Sequence, residues 1–239
     1  MVTNLNKFEK PSVTVDIIIF TIKNKELKVL LVKRKLEPFK GKWATAGGFV
    51  RINDSLEEAA KRELKDETGV KDIYLEQLYT YGNPKRDPRG RVITVSYIAL
   101  INSDKIKLKP DTDVSDAKWF SINKIPPLAF DHKKILDYAL QRLKWKFEYT
   151  AIAFSLLPKK FAMSNLQEIY EIVFSKKFDK RNFSKKIISL NILKEEGINK
   201  DVSHRPPMTY SLKKNIKKII EIIWQRINSK QLKIRNIYY

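Results

Sequence analysis

The segment Gly47–Val70, GGFVRINDSLEEAAKRELKDETGV, constrains this chain most, because it places carboxylates where a helix should bury apolar side chains. Ser55-Leu56-Glu57-Glu58 is a capping box, so a helix is expected to start at Ser55, and Gly69 supplies its stop. At about 100° per residue, Leu56, Ala59, Ala60 and Leu64 share one face, with Glu57, Glu58, Lys61 and Lys65 opposite. Glu63 falls inside the apolar arc, with Glu67 one turn on and Asp66 at its edge. Acids on a helix are ordinarily solvated and matched by lysines, but here the lysine-matched acids already occupy the other side. Three inward carboxylates would repel one another and lose hydration unless a cation sat among them. Hard oxygen donors at i, i+3 and i+4 suit Mg²⁺ or Mn²⁺ holding a phosphate.

The same residues carry a family pattern. Gly48, five residues, Asp54, seven residues, then Arg62-Glu63-Leu64-Lys65-Asp66-Glu67-Thr68-Gly69-Val70 resembles the Nudix box, G-x5-E-x7-R-E-U-x-E-E-x-G-U, with every spacing kept. Asp54 and Asp66 each stand where the pattern has Glu, and Ala46 takes the proline position of the preceding G-x-W-x-x-P-G-G. The resemblance implies that Glu63, Asp66 and Glu67 bind Mg²⁺ (or Mn²⁺) bridging a pyrophosphate. It also implies that Arg62 orients Glu63, and that Arg62, Glu63 and Glu67 carry the attack of water on a substituted diphosphate. The Asp66 carboxylate is one methylene shorter, a difference of ~1 Å that would cost a large rate factor if it missed the metal.

A loop downstream, Tyr81–Leu100, YGNPKRDPRGRVITVSYIAL, gathers Lys85, Arg86, Asp87, Arg89 and Arg91 before a β-branched run. Taken alone it is a basic hairpin turn. Next to a Nudix box it resembles the G-x-P-x-R-D-P-R-G stretch of ADP-ribose-handling Nudix proteins. That resemblance makes Gly48, Arg86, Asp87 and Arg89 the expected ligand-binding residues, since guanidinium forks suit phosphate. The expected ligand is ADP-ribose or a related nucleotide-sugar metabolite.

The chain carries a formal charge of +21, and unevenly. Residues 1–130 hold 24 Lys and Arg against 17 Asp and Glu, a net of +7, whereas residues 131–239 hold 24 against 10, a net of +14. Such a field favours a polyanion through counterion release, or simply reflects lysine-rich solvation; composition leaves the two even. The absence of cysteine removes disulfides and thiolate metal sites. With no signal-peptide pattern and no run of about 20 apolar residues, the expectation is a cytoplasmic protein without a membrane span.

Strand patterns dominate up to Pro126-Pro127: SVTVDIIIFTI and KVLLVKRK read as a hairpin turned at KNKE, and Ile93–Ile101 reads as a further strand. Helical periodicity follows, so a boundary is expected near Asn123–Asp131, dividing domains 1–130, 131–212 and 213–239. In MSNLQEIYEIVFSKKFDKRNFSKKIISLNILKEEG two helices join at SKKFD, capped by Ser164 and Asp179. Their apolar stripes are Leu166, Ile169, Tyr170 and Val173, then Phe183, Ile187 and Leu190. This is helix-turn-helix spacing, with Lys180, Arg181, Asn182, Ser184, Lys185 and Lys186 early in the second helix, where a recognition helix meets DNA. HRPPMTYSL reads as the wing, with Arg205 positioned for phosphate or a minor groove.

From Val13 to Leu212 the chain resembles the Nudix-related transcriptional regulators, a Nudix-like sensor fused to a C-terminal winged helix. The implied α/β fold is a Nudix α/β/α sandwich, a winged helix-turn-helix domain and an extra C-terminal helix. The implied partners are a double-stranded DNA operator released by ADP-ribose, and a second copy in a homodimer. In the last segment Ile216, Ile219, Ile220, Ile223, Trp224 and Ile227 keep helical spacing, which favours burial over a membrane-surface role. His132 and His204 offer poor candidates for a catalytic base. The competing function is a Mg²⁺-dependent ADP-ribose pyrophosphatase with a structural basic tail.

Overall fold

The computed structural model describes residues 7–69, 74–102, 114–198 and 207–214. Val13–Ile22 is almost wholly β-branched or aromatic, and it becomes the long strand β1 (Ser12–Lys23). The chain then reverses through Asn24 and Lys25, both at positive φ (54° and 57°), as a two-residue hairpin demands, into β2 (Glu26–Arg34). The expected hairpin is therefore present, with Lys23 opposite Glu26.

β1 organises a mixed sheet of seven strands among the described residues. It runs parallel to β6 (Val92–Leu100), and it pairs antiparallel with β2 at one end and with β4 (Ala46–Phe49) at the other. β3 (Trp43–Ala44) and β7 (Val114–Ser121) add to β2, and β5 (Tyr74–Tyr81) closes the other edge on β6. Strand alternation splits β1 between two cores. Val15, Ile17 and Ile19 face α1 (Leu56–Thr68) through Ala59, Ala60 and Leu64, while Ile18 and Phe20 face α2 (His132–Tyr149) through Ile135, Leu136 and Leu143. Each such side chain contributes about 1.5–3 kcal/mol by leaving water, and the result is the expected α/β/α layering.

The second core does not stop at the sandwich. It continues along α2 to Phe147, then to Tyr170 and Val173 of α3 (Met163–Phe174) and Phe183 and Ile187 of α4 (Lys180–Ser189). Tyr170 is fully buried among aromatic rings, and its hydroxyl donates to the Phe147 carbonyl at 3.1 Å, so its one polar group is satisfied. A short 3₁₀ segment, Ala151–Leu156, leads from α2 to β8 (Phe161–Ala162). β8 joins β10 (Met208–Leu212) and β9 (Leu193–Ile198) in a three-stranded sheet in the order β8-β10-β9, the ribbon of a winged helix.

Two local expectations are corrected. Ser164 is not a cap: α3 starts one residue earlier, and the Asn165 side chain accepts the Ala162 N–H at 3.0 Å instead. The second helix ends at Ser189, and LKEEGI, expected to extend it, is strand β9, where five antiparallel partners on β10 outweigh a weak alternation. The Asp179 cap is present, accepting the Asn182 N–H at 2.8 Å. Arg205, His204 and the amphipathic segment from residue 215 onward lie outside the described residues.

Candidate ligand cleft and nucleic-acid interface

The capping box of α1 forms in both directions, Ser55 Oγ with the Glu58 N–H and the Glu58 carboxylate with the Ser55 N–H. Gly69 ends the helix at φ 68°, in the left-handed region that glycine tolerates. Arg62 holds the box together. Its guanidinium donates to Asp54 Oδ2 at 3.0 and 3.2 Å, to the Phe49 carbonyl at 3.2 Å, and to Glu63 Oε1. Burial lowers the Arg62 pKa, but its hydrogen bonds to Asp54 and Glu63 outweigh that, and the net direction is upward. Asp54, the shorter acid, therefore still reaches its arginine. A Cβ on Gly48 would overlap the Glu63 carboxylate, with Cδ only 2.8 Å away, so the glycine leaves room for that acid.

The three expected metal ligands are not brought to one point. Glu67 is buried, at 4% exposure, and lines a cleft; Glu63 is turned onto Arg62; Asp66 is half-buried. Among the described residues no group of three acidic or histidine side chains is close enough to hold an ion. The donor set nevertheless fits Mg²⁺ or Mn²⁺ in chemistry, since such ions take one or two carboxylates and complete their shell with phosphate oxygens and water.

The cleft lies between Gly47 and Gly48 of β4, Arg34 of β2, the 82–91 loop and the start of α2. Arg89 and Asp87 line it as a fork-to-fork pair, Nε to Oδ1 at 3.0 Å and Nη2 to Oδ2 at 2.7 Å. Burial raises the Asp87 pKa, yet hydrogen bonds from Arg89 prevail and hold the carboxyl below its ordinary value. The fixed Arg89 guanidinium stands 5.2 Å from the Phe49 ring and 5.6 Å from Phe130. Arg34 covers Phe130 at 4.9 Å. Cations and exposed aromatic faces together can hold a phosphorylated, ring-bearing ligand.

Arg86 sits differently from Arg89. Its side chain is only 4% exposed, and its fork closes on Asp131 at 2.7 and 3.1 Å, with Asp16 Oδ2 at 3.3 Å. Beside it, His132 Nδ1 accepts the Thr45 N–H at 3.0 Å, which places the ring proton on Nε2, 3.5 Å from Asp16 Oδ1. Desolvation of the buried ring lowers the His132 pKa, so it is neutral. Sequence reasoning missed Asp16, Thr45, Phe130, Asp131 and His132. The only local signal was the adjacency of Phe130, Asp131 and His132 before a helical pattern.

On the winged helix, Lys180, Arg181, Asn182 and Lys185 are exposed at the start and middle of α4, and Ser184 and Lys186 are half-buried. Phe183 and Ile187 face the core, so the basic side chains project outward. The α3–α4 turn is pinned by Glu171, whose carboxylate takes Lys177 Nζ at 2.6 Å, the Phe178 N–H at 3.1 Å and Gln167 Nε2 at 3.0 Å. Those bonds, Lys177 first, lower its pKa to about 2.

Two family models match the chain: the NUDIX domain over residues 10–139 and the NrtR DNA-binding winged helix domain over residues 153–212. The ADPR responsive transcriptional repressor NtrR of Acinetobacter baylyi is 37% identical over 85% of this chain and 82% of its own. The chain belongs to the NrtR family. Within it, Shewanella oneidensis NrtR complexed with a 27mer DNA superposes with a TM-score of 0.74 at 35% identity, over 84% of this chain and 93% of that one. The Nudix domain of that protein, complexed with ADP ribose, matches at 39% identity over 59% of this chain and 94% of that one, with a TM-score of 0.54. An ADP-ribose pyrophosphatase of Methanocaldococcus jannaschii is 44% identical over 57% of this chain and 75% of its own.

Proposed function

We propose that this NrtR-family chain is a transcriptional repressor that binds operator DNA through α4 and releases it when ADP-ribose occupies the Nudix cleft. The observation that carries this reading is the match to an ADPR responsive repressor across both domains, supported by a basic α4 face that leaves its cations exposed. Lys180, Arg181 and Lys185 would neutralise phosphates, Asn182 and Ser184 would reach base edges, Lys186 would extend the charged track, and Arg205 would contact phosphate or a minor groove. Arg89, fixed by Asp87, would face the diphosphate. A homodimer would match a two-fold operator.

Glu63, Asp66 and Glu67 would hold a divalent ion, which would neutralise charge on the diphosphate. Arg62 then sets where Glu63 points, and Gly48 gives that carboxylate space. A second reading, retained ADP-ribose hydrolysis, is favoured by acids at every box position and by the archaeal pyrophosphatase relative.

Binding of full-length protein to DNA selected from a random pool, against competitor DNA and across salt, tests the repressor reading. Specific, salt-sensitive binding weakened by ADP-ribose is expected, and non-specific binding alone would refute it. Release of AMP and ribose phosphate from ADP-ribose with Mg²⁺, abolished by Glu67→Ala, would establish the second reading alongside the first.

A further inference from the structure

We infer that Arg86 is a positioning residue that couples the cleft to the DNA-binding domain, by clamping Asp131 at the start of α2 until ligand phosphate competes for its guanidinium. This rests on the proposed function and adds the residues through which occupancy of the cleft reaches α4.

Three observations converge. Arg86 lines the cleft, yet its fork is committed to Asp131 and Asp16, acids 45 and 70 residues away in sequence. Two carboxylates, Asp131 and Asp16, share the one Arg86 guanidinium in this cluster. An anion entering beside it gains most by drawing the guanidinium away from a carboxylate.

Asp131 and His132 start α2, and the same rigid segment includes Phe130, which lines the cleft at φ 50°. That left-handed conformation is strained for a bulky side chain and persists only where neighbours enforce it. The Asp131–Arg86 pair and the His132–Thr45 bond, made by the two residues that follow Phe130, supply that enforcement. Downstream, α2 carries Phe147, whose carbonyl and ring anchor Tyr170 of α3 within one core that reaches Phe183 and Ile187 of α4. Freeing the first turn of α2 thus acts on an element joined through α3 to the recognition helix within one core. By contrast Arg89 is held by Asp87 on its own loop and meets the start of α2 only through the Phe130 ring, so it remains a ligand contact.

The test compares full-length wild type with Asp131→Asn, which keeps the side-chain shape but removes the charge that holds Arg86. ADP-ribose affinity and the affinity for selected DNA are measured with EDTA present, each with and without the other ligand. In wild type, ADP-ribose weakens DNA binding by a factor expected in the range of roughly 5–150; in Asp131→Asn that factor falls toward about 1, while ADP-ribose still binds. An undiminished factor in Asp131→Asn overturns the inference, and so does loss of ADP-ribose binding, which would make the pair part of the binding site. Wild type itself gives a second readout independent of the variant's folding: ADP-ribose should speed amide exchange over residues 132–136, and unchanged exchange there overturns the coupling. If ADP-ribose leaves wild-type DNA binding untouched, the repressor reading fails instead.

Discussion

At the scale of single residues, two positions connect physical chemistry to a measurable result. Gly48 leaves the space that the Glu63 carboxylate occupies. Gly48→Ala should therefore displace Glu63 and weaken Mn²⁺ binding by about 10–100-fold, the cost usual for disturbing the support of a metal ligand. Calorimetric Mn²⁺ titration of the two proteins decides it; equal affinities would remove Glu63 from the metal site. His132 is neutral and buried, with its pKa held below the ordinary 6.5 by desolvation. The unfolded chain binds more protons than the folded one between that lowered value and 6.5. Stability from this group is thus full above about pH 6.5 and is lost as pH falls through the folded pKa, with a slope of at most about 1.4 kcal/mol per pH unit. Denaturant unfolding of His132→Gln between pH 7 and 5.5 should show a shallower pH dependence than wild type. Identical slopes would mean that the ring titrates as it does in the unfolded chain.

At the scale of elements, α4 presents its apolar residues to the core and its cations outward. Lys185→Ala with Lys186→Ala should weaken DNA binding and reduce the salt slope by about 1–2, because each phosphate contact contributes nearly one released counterion. A slope equal to wild type would take both lysines out of the interface. These elements were largely legible in sequence, since each declares itself over one or two turns. The Ser55 capping box, the Gly69 stop, the Asp179 cap and the stripe Leu166, Ile169, Tyr170 and Val173 all formed as read. LKEEGI was not legible, because its two adjacent glutamates mimic a helix surface and its strand identity comes from pairing with β10. The buried bonding of Arg86 and His132 was not legible for the same kind of reason. Their partners Asp131, Asp16 and Thr45 lie 45 to 87 residues away, and no local pattern encodes a contact at that separation.

At the scale of the whole molecule, one apolar core runs from β1 through α2 to α3 and α4, so the Nudix cleft and the basic helix share a structural spine. The uneven charge takes on meaning here: the winged helix contributes exposed cations where DNA would lie, while the cleft keeps Arg86 and Arg89 matched by acids. The carboxylate helix α1 packs on the opposite face of β1, in the other core. Its Arg62–Asp54 pair shows that the shorter acid at the first departure is accommodated. The most direct test of ligand-controlled DNA binding is a closed thermodynamic cycle on full-length protein, with ADP-ribose affinity measured without and with saturating selected DNA. The account predicts that DNA weakens ADP-ribose binding by the same factor, on the order of 5–150, by which ADP-ribose weakens DNA binding. Equal ADP-ribose affinities for the free and the DNA-bound protein would contradict it.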